Sequence, residues 1–268
     1  MSVNAAQLAL RDLAEIERSA VEASKIKVKI RNVDRYMSPP ADTIYPLEYA
    51  FHLLGDVHGK RVLDLGCGSG ENVVPLLRRG ADVLAIDISP ELVAAAHTRL
   101  EMAGLEAPVW AGTAYDTGLE SESIDIVFSM SLLHHLDIPA VREEIRRVLK
   151  PGGVLIIKEP VRFSRLYGRI RSWLPDPMDT STYEHPLTRN ELVNVEKGFE
   201  VQNLRYFRLP FVPVVERVLG KHSRGIWSVS DVTLRWAQLL SQFATLVVAR
   251  MQKQAEPQVR MGAWAHAA

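Results

Sequence analysis

An apolar stretch runs straight into three glycines at residues 62–70, Val-Leu-Asp-Leu-Gly-Cys-Gly-Ser-Gly. Val62, Leu63 and Leu65 suit a parallel strand buried on both faces, which tolerates a continuous apolar run. Gly66, Gly68 and Gly70 free the backbone to turn sharply and let a ligand approach it closely. Residues 71–79 continue in a helical pattern, so the turn aims backbone N–H groups at whatever lies above the strand's end. Strand, glycine turn and helix together make a nucleotide-type binding corner of an α/β fold.

From Lys60 onward, strand and helix patterns alternate. Strands are expected at 61–65, 82–86, 108–111, 124–129, 153–158, 199–207 and 243–250, with helices near 71–79, 90–103, 139–149 and 188–196. This predicts parallel βαβ units in one Rossmann-like, doubly wound, seven-stranded sheet with helices on both faces. Ligands on such sheets bind beyond the carboxyl ends of the strands. Residues 1–55 read as an N-terminal helical cap. In it, Leu8, Leu13, Ile16 and Ala20 recur at helical intervals, and Thr43 to Leu54 forms a short helix. Lys25 to Arg31 alternates base with Ile or Val, a pattern that fits an edge strand or a continued helix. The main domain then covers 56–252, with cap segments inserted near 162–185 and 209–240, and 253–268 is a tail.

Composition narrows the class. The chain has 268 residues, 47% of them hydrophobic, enough for a sizeable core. Its 32 basic and 32 acidic residues cancel, which weighs against a nucleic-acid partner. Cys67 is the single cysteine, so no intramolecular disulfide forms and a reducing compartment is expected. The N-terminus lacks the apolar core of a signal peptide, and no apolar run approaches the roughly 20 residues of a spanning helix. A cytoplasmic location is the expectation.

The spacing selects among ligands. A dinucleotide fingerprint would need a third glycine where Glu71 stands, and the Gly-Lys-Ser/Thr ending of a phosphate loop is absent. Asp64, two residues before the first glycine, would repel phosphate and suits a cation. In these residues the chain resembles the class I S-adenosylmethionine-dependent methyltransferases. Within them it resembles the small-molecule, type 11 branch that includes menaquinone-biosynthesis-like enzymes. The resemblance implies a ligand bearing an amine and a sulfonium, held by Asp64, Gly66, Cys67, Gly68 and Gly70, with S-adenosylhomocysteine as product and no metal.

Later segments extend the likeness. Asp87 ends the second strand, about 20 residues past the glycine turn, where a carboxylate accepts hydrogen bonds from ribose hydroxyls; the other role open to it is capping the next helix. Ile88 follows it. Gly112-Thr-Ala-Tyr-Asp116 resembles the family's third segment and implies cofactor contacts at Thr113 and Ala114. Thr113, however, stands where the family often has an acid. Ser129-Met-Ser-Leu-Leu-His134-His135 lies where such enzymes cover the reactive end of the cofactor, implying contacts from Met130 and Ser131. The Asn/Asp-Pro-Pro-Tyr/Phe motif of nucleobase methyltransferases is missing there. His134 and His135 offer imidazoles suited to proton removal, or serve packing. Leu149-Lys-Pro-Gly-Gly-Val-Leu-Ile-Ile157 completes a likeness covering residues 60–160.

The expected reaction is in-line methyl transfer to a small, apolar or lipid-like acceptor. An RNA or protein acceptor, or a non-catalytic cofactor-binding role, stays open. Tyr36 and Tyr45 are candidate acceptor contacts. Between 162 and 173, Phe163, Leu166, Tyr167, Ile170 and Trp173 share a helical face while Arg162, Arg165 and Arg169 lie off it. That segment either packs on the domain or lies on an anionic membrane as a peripheral contact.

Overall fold

The computed structural model describes residues 5–163, 185–220 and 223–254. In chain order its helices are α1 (Ala5–Lys25), α2 (Pro46–Leu54), α3 (Val73–Arg78), α4 (Pro90–Ala103), α5 (Ile138–Val148), α6 (Arg189–Glu196), α7 (Phe211–Leu219) and α8 (Arg224–Trp236). The strands are β1 (Arg61–Leu65), β2 (Asp82–Asp87), β3 (Val109–Ala111), β4 (Ile124–Met130), β5 (Leu149–Pro160), β6 (Phe199–Phe207) and β7 (Leu246–Lys253). Local chemistry sets the boundaries. Ser89 Oγ accepts the Leu92 N–H at the start of α4, and Gly104, at φ 63°, ends it in the left-handed conformation. Asp137 caps α5 through the Ala140 N–H. Thr188 and Glu191 form a reciprocal capping box on α6.

The seven strands form one sheet in the order β3-β2-β1-β4-β5-β7-β6. Strands β1 to β5 pair in parallel, with Val62 opposite both Val83 and Ile126. The strand order reverses between β1 and β4, and this opens a crevice at the carboxyl edge. The expectation of parallel units throughout needs one correction. β7 slots between β5 and β6 and runs antiparallel to both, with Lys158 and Arg205 both opposite Val248. Its direction follows from the connection: β6 ends at the carboxyl edge, α7 and α8 stay on that edge, and the chain returns from it.

Alternation along the strands feeds two cores. Val62, Phe128 and Ile156 join Phe51, Leu54, Leu76 and Phe207 on one face. Leu63, Leu65, Val127 and Leu155 join Ile145 and Val148 of α5 and Leu192 of α6 on the other. Phe51 and Leu54 of α2 are fully buried, Phe51 lying 5.1 Å from Phe128. Each such side chain contributes about 1.5–3 kcal/mol, so α2 is part of the main core.

Two N-terminal pieces matter for the site. Residues 26–33 form neither strand nor helix; the buried Arg99 of α4 holds this segment by donating to the Lys29 carbonyl at 2.5 Å. Helix α1 packs against α4 and buries only Ser19, while Leu10 and Leu13 remain exposed. Its inward face is polar. Of the 162–173 segment, all beyond Phe163 lies outside the described residues, as does much of the 162–185 cap.

Candidate functional site

The glycine turn is closed by its own backbone. The N–H groups of Gly66 and Cys67 both donate to the Ile86 carbonyl, at 2.9 and 3.0 Å, and Gly70 N–H donates to Cys67. Gly66 sits at φ +75°, where an added Cβ would come within 2.8 Å of Leu132. Gly70, at φ +77°, would meet Ala96 at 3.0 Å, whereas Gly68 faces open space. Arg99 braces the turn from behind through Ser69, its Nε donating to the carbonyl at 2.7 Å and its NH2 to Oγ at 3.2 Å.

Above the turn lies a cavity of about 440 Å³, within the usual range for small-ligand sites. Leu65, Gly66, Cys67 and Gly68 form its floor, Ile86, Asp87 and Ile88 one wall, and Gly112 and Ala114 the rim after β3. Met130, Ser131, Leu132 and His135 form the wall after β4. The roof is α1: Asp12, Glu15, Ser19 and Glu22, spaced by three and four residues, put one polar helix face over the cavity.

Two acids dominate the electrostatics. Asp87 accepts the Gly68 N–H on Oδ2 at 2.7 Å and the Ser89 N–H on Oδ1 at 3.0 Å. Burial raises its pKa despite these two bonds. Each of its oxygens keeps a free lone pair. Asp64 is fully buried, and neither of its oxygens has a hydrogen-bond partner. Burial first, and the Asp87 charge second, push its carboxyl up to about 8. Burial likewise pushes the Cys67 thiol up. Among the described residues, the buried side-chain polar atoms with no hydrogen-bond partner belong to Asp64, Ser129 and His135. All three lie on β1, on β4 or in the turn after β4.

That turn is held from β5. Glu159, fully buried, accepts the Leu132 and Leu133 N–H groups on one oxygen, both at 2.9 Å, and His134 Nδ1–H on the other at 2.8 Å. The two histidine rings are 4.0 Å apart and serve different neighbours. His134 turns to Glu159, while His135 faces the cavity with its Nδ1 3.4 Å from Glu15 Oε2 of α1. Burial alone would raise Glu15, but His135 and Arg18 more than offset it and hold its carboxyl down at about 2. Ser131 adopts φ 61°, a left-handed conformation that costs a non-glycine residue about 1–3 kcal/mol. Its hydroxyl accepts from Lys158 Nζ at 2.5 Å, and burial lowers the Lys158 pKa.

The sequence candidates therefore divide. Gly66, Cys67, Gly68, Asp87, Ile88, Ala114, Met130, Ser131 and His135 line one cavity, and Asp64, Gly70 and His134 pack behind it. Thr113 bonds the Tyr115 N–H at 3.2 Å and faces Asp12 of α1. Tyr36 stacks on Phe51 at 4.8 Å and borders a separate, smaller cavity with Arg35 and Leu47. Tyr45 lies against Trp227 of α8 at 5.9 Å. Neither tyrosine lines the main cavity. Glu15, Arg18, Lys158 and Glu159 were not among the sequence candidates. Glu159 had a usable signal, an acid at the carboxyl end of a central strand. The roof had one in the three-four spacing of polar residues on α1.

A doubly wound sheet with a roofed cavity over a glycine turn is the setting of an enzyme that works on a nucleotide-like cofactor. A methyltransferase-domain profile matches residues 63–157. A ubiquinone biosynthesis O-methyltransferase of Cereibacter sphaeroides is 32% identical over 181 residues, 65% of this chain and 69% of that protein. An uncharacterized methyltransferase of Mycobacterium bovis is 34% identical over 158 residues, 57% of this chain and 63% of its own length. The chain thus spans about two thirds of these relatives. The fold also matches the geranyl diphosphate C-methyltransferase of Streptomyces coelicolor A3(2), solved with Mg2+, geranyl diphosphate and S-adenosyl-L-homocysteine. There the TM-score is 0.58 at 15% identity, over 90% of this chain and 98% of that one. The chain belongs to the class I S-adenosylmethionine-dependent methyltransferases.

Proposed function

We propose that the α1-roofed cavity binds S-adenosylmethionine and that His135, paired with Glu15, removes a proton from a small apolar acceptor. The observation that carries this is a histidine faced by a carboxylate on the cavity wall, with an unpartnered buried carboxylate packed just behind the cavity's glycine floor. The residues fit the cofactor. Asp64 lacks any partner and suits a cationic amine, Asp87 has acceptor capacity for ribose hydroxyls, and Gly68 leaves open space where a side chain would stand. When bound, the cofactor supplies a methyl group on a positively charged sulfur, already activated for displacement.

The chain's own residues then align, exclude water and move a proton. Helix α1 roofs the cavity, and a water-poor site strengthens each electrostatic contact within it. With Nδ1 of His135 facing Glu15, Nε2 is left to take a proton from an acceptor hydroxyl or similar group. The Glu15 carboxylate stabilises the imidazolium that forms. Glu159 holds the supporting turn and His134 in place. An apolar acceptor is supported by the balanced charge, by the absence of a nucleobase motif and by the apolar surfaces of α7 and α8. The names of the ubiquinone-biosynthesis and geranyl diphosphate enzymes are consistent with it.

The test is label transfer from methyl-labelled cofactor to a panel of lipophilic hydroxyl acceptors. Label should reach the organic phase. His135→Ala and Glu15→Gln should each lower kcat by about 10²-fold or more, with cofactor affinity nearly unchanged. Label appearing only in RNA or protein, or unchanged kcat in both variants, would contradict the reading.

A further inference from the structure

Helices α7 and α8 connect β6 to β7 and leave a large apolar surface uncovered. On α8, Val229, Val232 and Trp236 follow one another at intervals of three and four residues, which places them on one face. They are 59, 53 and 87% exposed, and Leu239, just beyond the helix, is 86% exposed. Val214 and Val218 continue the pattern on α7 at 51 and 80%. The opposite faces are the packed ones, with Val212, Trp227 and Leu234 buried. So many exposed apolar side chains on two helices in contact are unusual on a monomer that meets only water.

The charges are sorted as well. Residues 208–243 contain two acids, and both turn inward. Glu216 accepts Trp227 Nε1–H at 2.9 Å. Asp231 is buried between Arg205 and Arg235, at 2.6 and 2.7 Å. The exposed charged side chains described on α7 and α8 are Arg217, Arg224 and Arg235, all basic. By spacing, Arg224 and Arg235 lie together along one side of the apolar stripe of α8.

We infer that the α7–α8 face docks on an anionic lipid bilayer, lying in the interface rather than crossing it. Among the described residues no helix is long and apolar enough to span a membrane. An apolar stripe beside arginines is the pattern of an interfacial helix, and Trp236 is the residue type favoured at that depth. Anionic headgroups complement Arg217 and Arg224, while Arg235 is engaged by Asp231 and the Asp42 carbonyl. A second copy fits less well. A two-fold contact would set this arginine-bearing face against itself, with no exposed acid among the described residues of α7 and α8 to pair with it. The inference holds whatever the methyl acceptor is.

Vesicle co-sedimentation tests it, comparing phosphatidylcholine alone with phosphatidylcholine containing about one third phosphatidylglycerol. Wild-type protein should bind the anionic vesicles, and less as salt rises. Trp236→Ser/Leu239→Ser should weaken binding by about tenfold or more. Arg217→Gln/Arg224→Gln should remove most of the preference for phosphatidylglycerol. Both variants alter exposed side chains and should keep the wild-type melting temperature and affinity for S-adenosylhomocysteine. Equal binding by all three proteins, or none by wild type, overturns the inference. So does a wild-type dimer in light scattering that Trp236→Ser/Leu239→Ser converts to monomer without any vesicle affinity, since the face would then join copies of the chain.

Discussion

Asp64 is the residue whose chemistry departs most from its type. Unfolded, its carboxyl titrates near 3.9; folded and buried, near 8. Between those values the folded protein holds a proton that the unfolded chain has released, so this residue's contribution to stability is full below about pH 4 and is lost as pH rises toward 8. Asp64→Asn should flatten the fall in melting temperature over that window and raise it at pH 7. A cation beside Asp64 favours the carboxylate, so cofactor binding should expel a proton, seen as a binding heat that varies with the buffer's ionisation enthalpy. An unchanged pH profile in Asp64→Asn would contradict the assignment. The sequence signalled an acid suited to a cation at this position. It did not reveal that the acid is neutral when folded, because that depends on burial by β2, β4 and the Asp87 charge.

At the scale of elements, the glycine turn and the N-terminal segment behave as one unit through Arg99. It donates to Ser69 twice and to Lys29 once while itself 4% exposed. Arg99→Met leaves those acceptors unpaired, at about 1–3 kcal/mol. It should speed hydrogen exchange in residues 26–33 and 66–70 while β5 and β7 stay protected; unchanged exchange in the turn would refute the coupling. Strands and helices between 60 and 160 were legible because each carries its own period, and α4 and α5 carry their own caps at Ser89-Pro90 and Asp137. Residues 26–33 were not. Their alternation of base and Ile or Val mimics a strand, yet they pair with none of the described strands. The roof was hidden for the opposite reason. Helix α1 is recognisable as a helix, but its polar face turns inward, against the usual rule, because a cavity lies beneath it.

For the whole molecule, the decisive feature is that the candidate site residues of the sheet gather at one of its edges, under the α1 roof. The glycine turn, Asp87, the histidine turn after β4 and the start of α7 all follow the carboxyl ends of strands. Alternating sequence patterns foretold that convergence. The direction of β7 was beyond them, since it is set by pairing with β5 and β6 across long stretches of chain rather than by local pattern. The central claim is that this edge holds S-adenosylmethionine, and calorimetry with S-adenosylhomocysteine tests it most directly. One molecule should bind per chain, and Asp87→Ala should weaken binding by about tenfold or more. No binding to wild type, or the same affinity in Asp87→Ala, would contradict the account.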